Sequence, residues 1–182
     1  MRHKMNLDQL RLDCAIKQKK GLHFILSSIV IWSLVTGIHL TNLPILTKNL
    51  LTFSATAPLV PLAFFVSKLI KVNFSDKSNP LNQLGIIFSL NQMLYLLIAM
   101  WVYPTVPDKL VMVIAMIFGA HLLPYAWLYQ SRIYAIMSIV IPFVALYVGM
   151  NYEVYVLSGM MIIFEILFST ILTIEVKNLI RK

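Results

Sequence analysis

Long runs without a charged side chain alternate with short polar segments along this chain. No Asp, Glu, Lys or Arg occurs in 21–47, 49–67, 78–107, 110–131 or 133–152, and a further run over 154–174 is broken only by Glu165. A helix needs about 20 apolar residues to cross a hydrocarbon core of ~30 Å. The runs therefore predict six transmembrane helices, over 21–40, 49–69, 84–102, 110–128, 133–149 and 155–174. Helices follow rather than strands because lipid offers backbone groups no partners and a period-two alternation is absent. Pro58 and Pro61 in the second span, Pro124 in the fourth and Pro142 in the fifth predict kinks, each freeing backbone carbonyls. The expected fold class is all-α, a polytopic transmembrane helical bundle of six spans. It forms one transmembrane domain over 21–174, between a basic segment at 1–20 and a basic tail at 175–182.

The polar segments predict orientation. Six Lys and Arg lie in the first twenty residues, three follow the second span, one follows the fourth and three lie in the tail. Only Lys48 and Lys109 fall on the other side. Basic residues mark the cytoplasmic side, so both termini are expected there. An odd number of spans would place the basic tail outside. The two outer loops, Pro44 to Lys48 and Pro104 to Lys109, also echo one another faintly, as duplicated helical hairpins would.

The N-terminal segment lacks a small-x-small cleavage site before its long apolar run, so it reads as a retained signal-anchor. Asn6 as N-cap with Gln9 three residues later forms a capping-box pattern for a short interfacial helix. Leu7, Leu10 and Cys14 would face the bilayer while Arg11 and Lys17 to Lys20 reach headgroups; a solvated tail is the alternative. Cys14, the single cysteine, excludes a disulfide framework and reads as an inert cytosolic thiol.

Composition removes several function classes. With 59% hydrophobic and 12% charged residues and a mean hydropathy of +0.82, the chain cannot clothe an ordinary water-facing surface. The net charge of +8 belongs to the predicted cytoplasmic face and suits anionic lipid headgroups as partners. No basic face interleaved with stacking aromatics suggests nucleic acid.

Polar residues inside the spans carry the functional reading. Glu165 is the one formally charged residue within a span, and such a group normally faces the bundle interior and finds a partner. Ser158, Glu165, Ser169 and Thr173 fall within roughly 80° of one another on a helix, forming one polar stripe. In the fourth span His121 shares a face with Tyr125, Tyr129 and Arg132. Counted from the outer ends at 1.5 Å per residue, His121 and Glu165 lie about 15–17 Å deep, level with Asn91 and Gln92 of the third span. Asn and Gln also serve as plain interhelical hydrogen bonds, so a purely structural layer stays open. Trp32, Trp101 and Trp127, with Tyr103 and Tyr152, read as interface-belt residues, Trp32 being the deepest.

Catalytic patterns are thin. There is no HExxH pair, P-loop or Gly-x-Ser-x-Gly elbow, and no metal or cofactor is expected. The stretch from Arg11 to Trp32, and a second from Gly119 to Tyr129 (Gly-Ala-His-Leu-Leu-Pro-Tyr-Ala-Trp-Leu-Tyr), resemble an uncharacterised family of small polytopic membrane proteins of Gram-positive bacteria. The resemblance implies a bacterial plasma membrane and roles for His121, Pro124 and Tyr125, without an activity to carry over. The leading expectation is binding or translocation of a small solute or ion at a midplane site of Glu165, His121, Asn91, Gln92 and Tyr125. Glu165 would be its protonatable residue. The alternative is a non-catalytic interaction protein, such as an immunity, assembly or regulatory subunit. A vitamin-transporter subunit is disfavoured by the lack of an Ala-x-x-x-Ala docking motif, and a lipid-modifying enzyme would need a second acid or a metal at the same layer.

Overall fold

The computed structural model describes residues 5–74, 76 and 78–181. Arg2, Lys4, Lys77 and Lys182 of the charge count lie outside the described residues. Six helical stretches are long and apolar enough to cross a membrane: Lys19–His39, Ile45–Leu69, Pro80–Thr105, Pro107–Leu128, Arg132–Asn151 and Val154–Ile180. All six expected spans are present, most of them longer at their ends than the apolar runs alone suggest.

Two spans are discontinuous. The second consists of α3 (Ile45–Thr56) and α4 (Leu59–Leu69), and the fourth of α6 (Leu110–Ala120) and α7 (Leu123–Leu128). Pro58 removes the donor that would reach the Ser54 carbonyl, and Pro124 the one for Ala120, which is why the breaks fall there. Pro142, by contrast, sits inside the continuous α8 (Arg132–Asn151), and Pro61 lies within the first turn of α4. The remaining elements are α1 (Leu7–Lys17), α2 (Leu22–His39), α5 (Pro80–Thr105) and α9 (Val154–Ile180).

The bundle is built on two close pairs, α2 with α9 and α6 with α8, which α8 and α9 join. Small residues set the second pair. A Cβ on Gly119 of α6 would lie 2.5 Å from Pro142 Cδ and 2.8 Å from Ile141 Cγ2 of α8. Packing between membrane helices depends on such close approach because lipid supplies no hydrophobic drive. Gly119→Ala must spread the pair, and overpacking of this kind costs about 1–3 kcal/mol. A lowered melting temperature in detergent, with Gly37→Ala unchanged because its added Cβ meets nothing within 4 Å, is the expected result.

At the end of the bundle where α2 begins and α9 ends, α1 packs on α5, α7 and α9. Its capping box is formed: Asn6 Oδ1 accepts from Gln9 N at 2.8 Å and Gln9 Oε1 accepts from Asn6 N at 2.9 Å. The face assignment changes, however. Cys14 and Ala15 are buried against the protein, while Leu12 and Ile16 are exposed. Arg11 donates to the Trp127 carbonyl and stacks over the Trp127 ring, and Asn79, the N-cap of α5, reaches the Leu10 carbonyl and Asp13. These tertiary contacts outcompete the bilayer for the Cys14 face.

The chain then reverses into α2 through three left-handed residues, Lys19 (φ 44°), Lys20 (φ 51°) and Gly21 (φ 71°). The left-handed conformation costs a residue with a Cβ about 1–2 kcal/mol. Three contacts hold it: the Lys20 ammonium meets Glu175 Oε2 at 2.6 Å, Ser131 Oγ donates to the same oxygen at 2.6 Å, and Tyr134 Oη donates to the Lys20 carbonyl at 2.7 Å. Lys20 is therefore buried in the protein rather than reaching a headgroup.

Candidate functional site

A cleft opens where helices fail to meet. α4 packs on α2, and α5 on α6 and α7, while α4 and α5 barely touch. Between them lies a cavity of about 280 Å³ whose walls include Leu59 and Val60 of α4, Ile86 and Gln92 of α5, Phe118, His121 and Tyr125. Leu59 follows the break in the second span, and His121 is the break in the fourth. Both discontinuities thus open on one cavity. Irregular backbone at membrane depth is tolerated where it lines such a space, and discontinuous helices are where membrane proteins commonly bind their solutes.

The cavity adjoins a second one of about 270 Å³ toward the end covered by α1, sharing Phe24, Phe74, Ile86, Ser89, Tyr125 and Tyr129 with it. The second cavity ends on Cys14, Gln18, Asp76, Asn82 and Gln83. The cleft is therefore polar at its α1 end, apolar and aromatic along its length, and polar again at His121 and Gln92.

His121, Tyr125 and Ser89 are each tied down by hydrogen bonds. His121 Nδ1 contacts the Phe118 carbonyl, which only accepts, so the proton sits on Nδ1 and Nε2 remains an acceptor. The ring is held edge-on by Phe118 and Tyr125, at centroid distances of 5.3 and 5.9 Å. Tyr125 Oη bonds Ser89 Oγ at 2.7 Å and the Gly85 carbonyl at 2.9 Å, tying α7 to α5. Tyr125 stacks on Tyr129, and both pack against Tyr134, closing the inner wall.

Of the residues expected at the midplane, His121, Gln92 and Tyr125 share this cleft. Asn91 does not: it is exposed on the outer face of α5 and donates through Nδ2 to Tyr95 Oη, one turn on, at 2.9 Å. Glu165 is fully buried elsewhere, between α9 and α2, with Ser28 Oγ 2.5 Å from its Oε2. Its Oε1 has no partner among the described residues. The polar stripe of α9 does face inward, with Ser158, Glu165 and Ser169 all buried. Arg132 leaves the His121 face because the chain turns at Gln130 (φ 48°) before α8 begins. Trp101 and Trp127 are exposed as belt residues would be, but Trp32 is buried and meets Phe118 edge-on at 6.2 Å. Ser28, Ser89 and Phe118 were missed because their roles depend on contacts between distant helices.

A family model described as a family of unknown function, DUF7010, matches residues 7–175. The chain belongs to DUF7010. No curated protein and no solved structure matches it. The portion matched in this DUF7010 chain runs from the start of α1 almost to the end of α9, so the whole cleft and Glu165 lie within it. Among the described residues no group of three His, Cys, Asp or Glu is placed to hold a metal ion.

The α1 end of the cleft carries a checkable feature. Burial, then the nearby charges of Asp13 and Asp76, push the Cys14 thiol up to about 12. Near pH 8 only about one such thiol in ten thousand is ionised, and the thiolate is the nucleophile. Iodoacetamide is therefore expected to leave Cys14 unmodified in the folded protein and to label it after denaturation. Rapid labelling of the folded protein would show that α1 is not docked on the cleft.

Proposed function

We propose that this protein sits in a bacterial plasma membrane with both termini in the cytoplasm and binds a small amphiphilic solute in the α4–α5 cleft. The observation that carries this reading is that both broken spans open on the cavity that His121 lines. The solute enters sideways from the bilayer between α4 and α5. Its apolar part lies along Phe24, Phe74 and Ile86, and its polar end reaches Gln18, Asn82 and Asp76 near the cytoplasm. A donor group at mid-depth meets His121 Nε2. A translocation role would follow if the polar end passes the Tyr125 constriction.

The test is equilibrium binding of a single-chain zwitterionic amphiphile to protein in nanodiscs. Ser89→Trp, which fills the shared wall of the two cavities, is expected to weaken binding at least tenfold, and His121→Leu severalfold. Equal binding by wild type and Ser89→Trp contradicts the proposal.

A second reading is an interaction protein. The outward face of α5 favours it, because only Ala99 and Val102 of that helix are buried. This reading expects one stoichiometric membrane partner to co-purify and to protect α5 from lipid-phase labelling.

A further inference from the structure

The face of the bundle opposite α1 is almost bare of charge. Around the turns that join the first span to the second, the third to the fourth and the fifth to the sixth, the charged residues are Lys48, Asp108, Lys109 and Glu153. Four side chains from three separate connections between spans have no reason to gather if they serve only solubility. All four line one pocket of about 320 Å³, together with His39, Tyr152 and Tyr155.

The two ammonium groups are held in place but not used up. Lys48 Nζ donates to the His39 carbonyl at 3.3 Å and Lys109 Nζ to the Gly149 carbonyl at 2.8 Å. An ammonium has three protons, so each retains two donors beyond its anchor. The first turn of α9 adds amides at Val154 and Tyr155, since its N-cap Glu153 makes no side-chain cap. The carboxylates are equally available. Among the described residues, neither Asp108 nor Glu153 forms an ion pair with either lysine or with any other cation. A pocket with two anchored cations and two unpaired anions complements a ligand that carries both signs.

We infer that this pocket is a binding site for a small zwitterion, an anionic group and a primary ammonium a few atoms apart, with Lys48 and Lys109 taking the anion and Asp108 and Glu153 the ammonium. The site is separate from the α4–α5 cleft and shares no lining residue with it. A free solute and a phosphatidylethanolamine headgroup have this chemistry in common.

Calorimetric titration of the protein in phosphatidylglycerol nanodiscs with O-phosphoethanolamine tests it, with inorganic phosphate and ethylamine as half-ligands. The zwitterion is expected to bind at least tenfold more tightly than either half. Asp108→Asn with Glu153→Gln should reduce it to the affinity of phosphate, while Lys48→Gln should weaken both anionic compounds at least fivefold. Among the described residues the two carboxylates make no side-chain hydrogen bond or ion pair, so their exchange is expected to leave folding intact and keeps the test valid if a lysine variant unfolds. Weaker apparent binding in discs that also contain phosphatidylethanolamine assigns the headgroup as ligand, and unchanged binding assigns a free solute; either outcome supports the site. Zwitterion affinity no greater than that of the half-ligands, or unaltered by the acid-pair exchange, would overturn it.

Discussion

Lys20→Met is expected to lower the unfolding free energy by about 2–3 kcal/mol, short of the full cost of breaking a buried ion pair because Glu175 is partly exposed. The ammonium is the partner that makes the left-handed reversal between α1 and α2 tolerable, and without it Glu175 keeps only the Ser131 hydroxyl. Adding Glu175→Gln should recover most of the loss, because the uncompensated charge disappears while an oxygen remains for Ser131. Thermal unfolding in one detergent, across the single and double variants, gives the coupling directly. A single variant as stable as wild type would mean that the Tyr134 bond to the Lys20 carbonyl suffices to hold the turn.

The second large effect concerns Glu165. Ser28 Oγ has one proton and two oxygens beside it, the Ile25 carbonyl at 2.8 Å and Glu165 Oε2 at 2.5 Å. The carbonyl only accepts, so both contacts are satisfied when a neutral carboxylic acid donates to Ser28 and Ser28 donates to the carbonyl. Glu165→Gln preserves this arrangement through its amide and is expected to stay close to wild type. Glu165→Ala opens a void between α2 and α9 and should cost about 2–4 kcal/mol, in the range for core truncations. Glu165→Met fills the space and removes the unpartnered Oε1, whose burial costs about 1–3 kcal/mol, so it should match or exceed wild type. Unfolding midpoints in the order alanine lowest and methionine highest support a clamp between helices. A glutamine variant as unstable as the alanine one would contradict the neutral acid. The cleft proposal further expects solute binding to survive Glu165→Gln, since Glu165 lines neither of its cavities.

The sequence carried the spans because charge is too costly within lipid to be placed at random, so charge-free runs mark the helices. It also carried the capping box at Asn6 and Gln9, which is a local contact, and the breaks at Pro58 and Pro124, where a donor is missing, although Pro142 lacks one too and α8 runs through it unbroken. Facing was not legible. The third span is apolar on every side, so nothing in its pattern says that Asn91 points outward while Gln92 lines the cleft. Depth matching put Glu165, His121 and Gln92 in one layer, but depth says nothing of the angle around a helix. The cleft itself arises from two helices that do not pack together, a property of the whole bundle. The pocket around Lys48 and Lys109 was invisible for the same reason, although the echo between the two loops had singled out both lysines.

Trp32 offers the most direct test of solute binding in the cleft. It is buried behind Phe118, a cleft-lining residue, whereas Trp101 and Trp127, the other two tryptophans, are exposed on the outer surface. With Trp101 and Trp127 replaced by phenylalanine, a brominated single-chain amphiphile should quench Trp32 fluorescence saturably, and adding Ser89→Phe, which fills the shared wall without a second indole, should remove that saturable phase. Quenching of Trp32 that rises only linearly with amphiphile, as expected for bulk lipid around a closed bundle, would contradict the account.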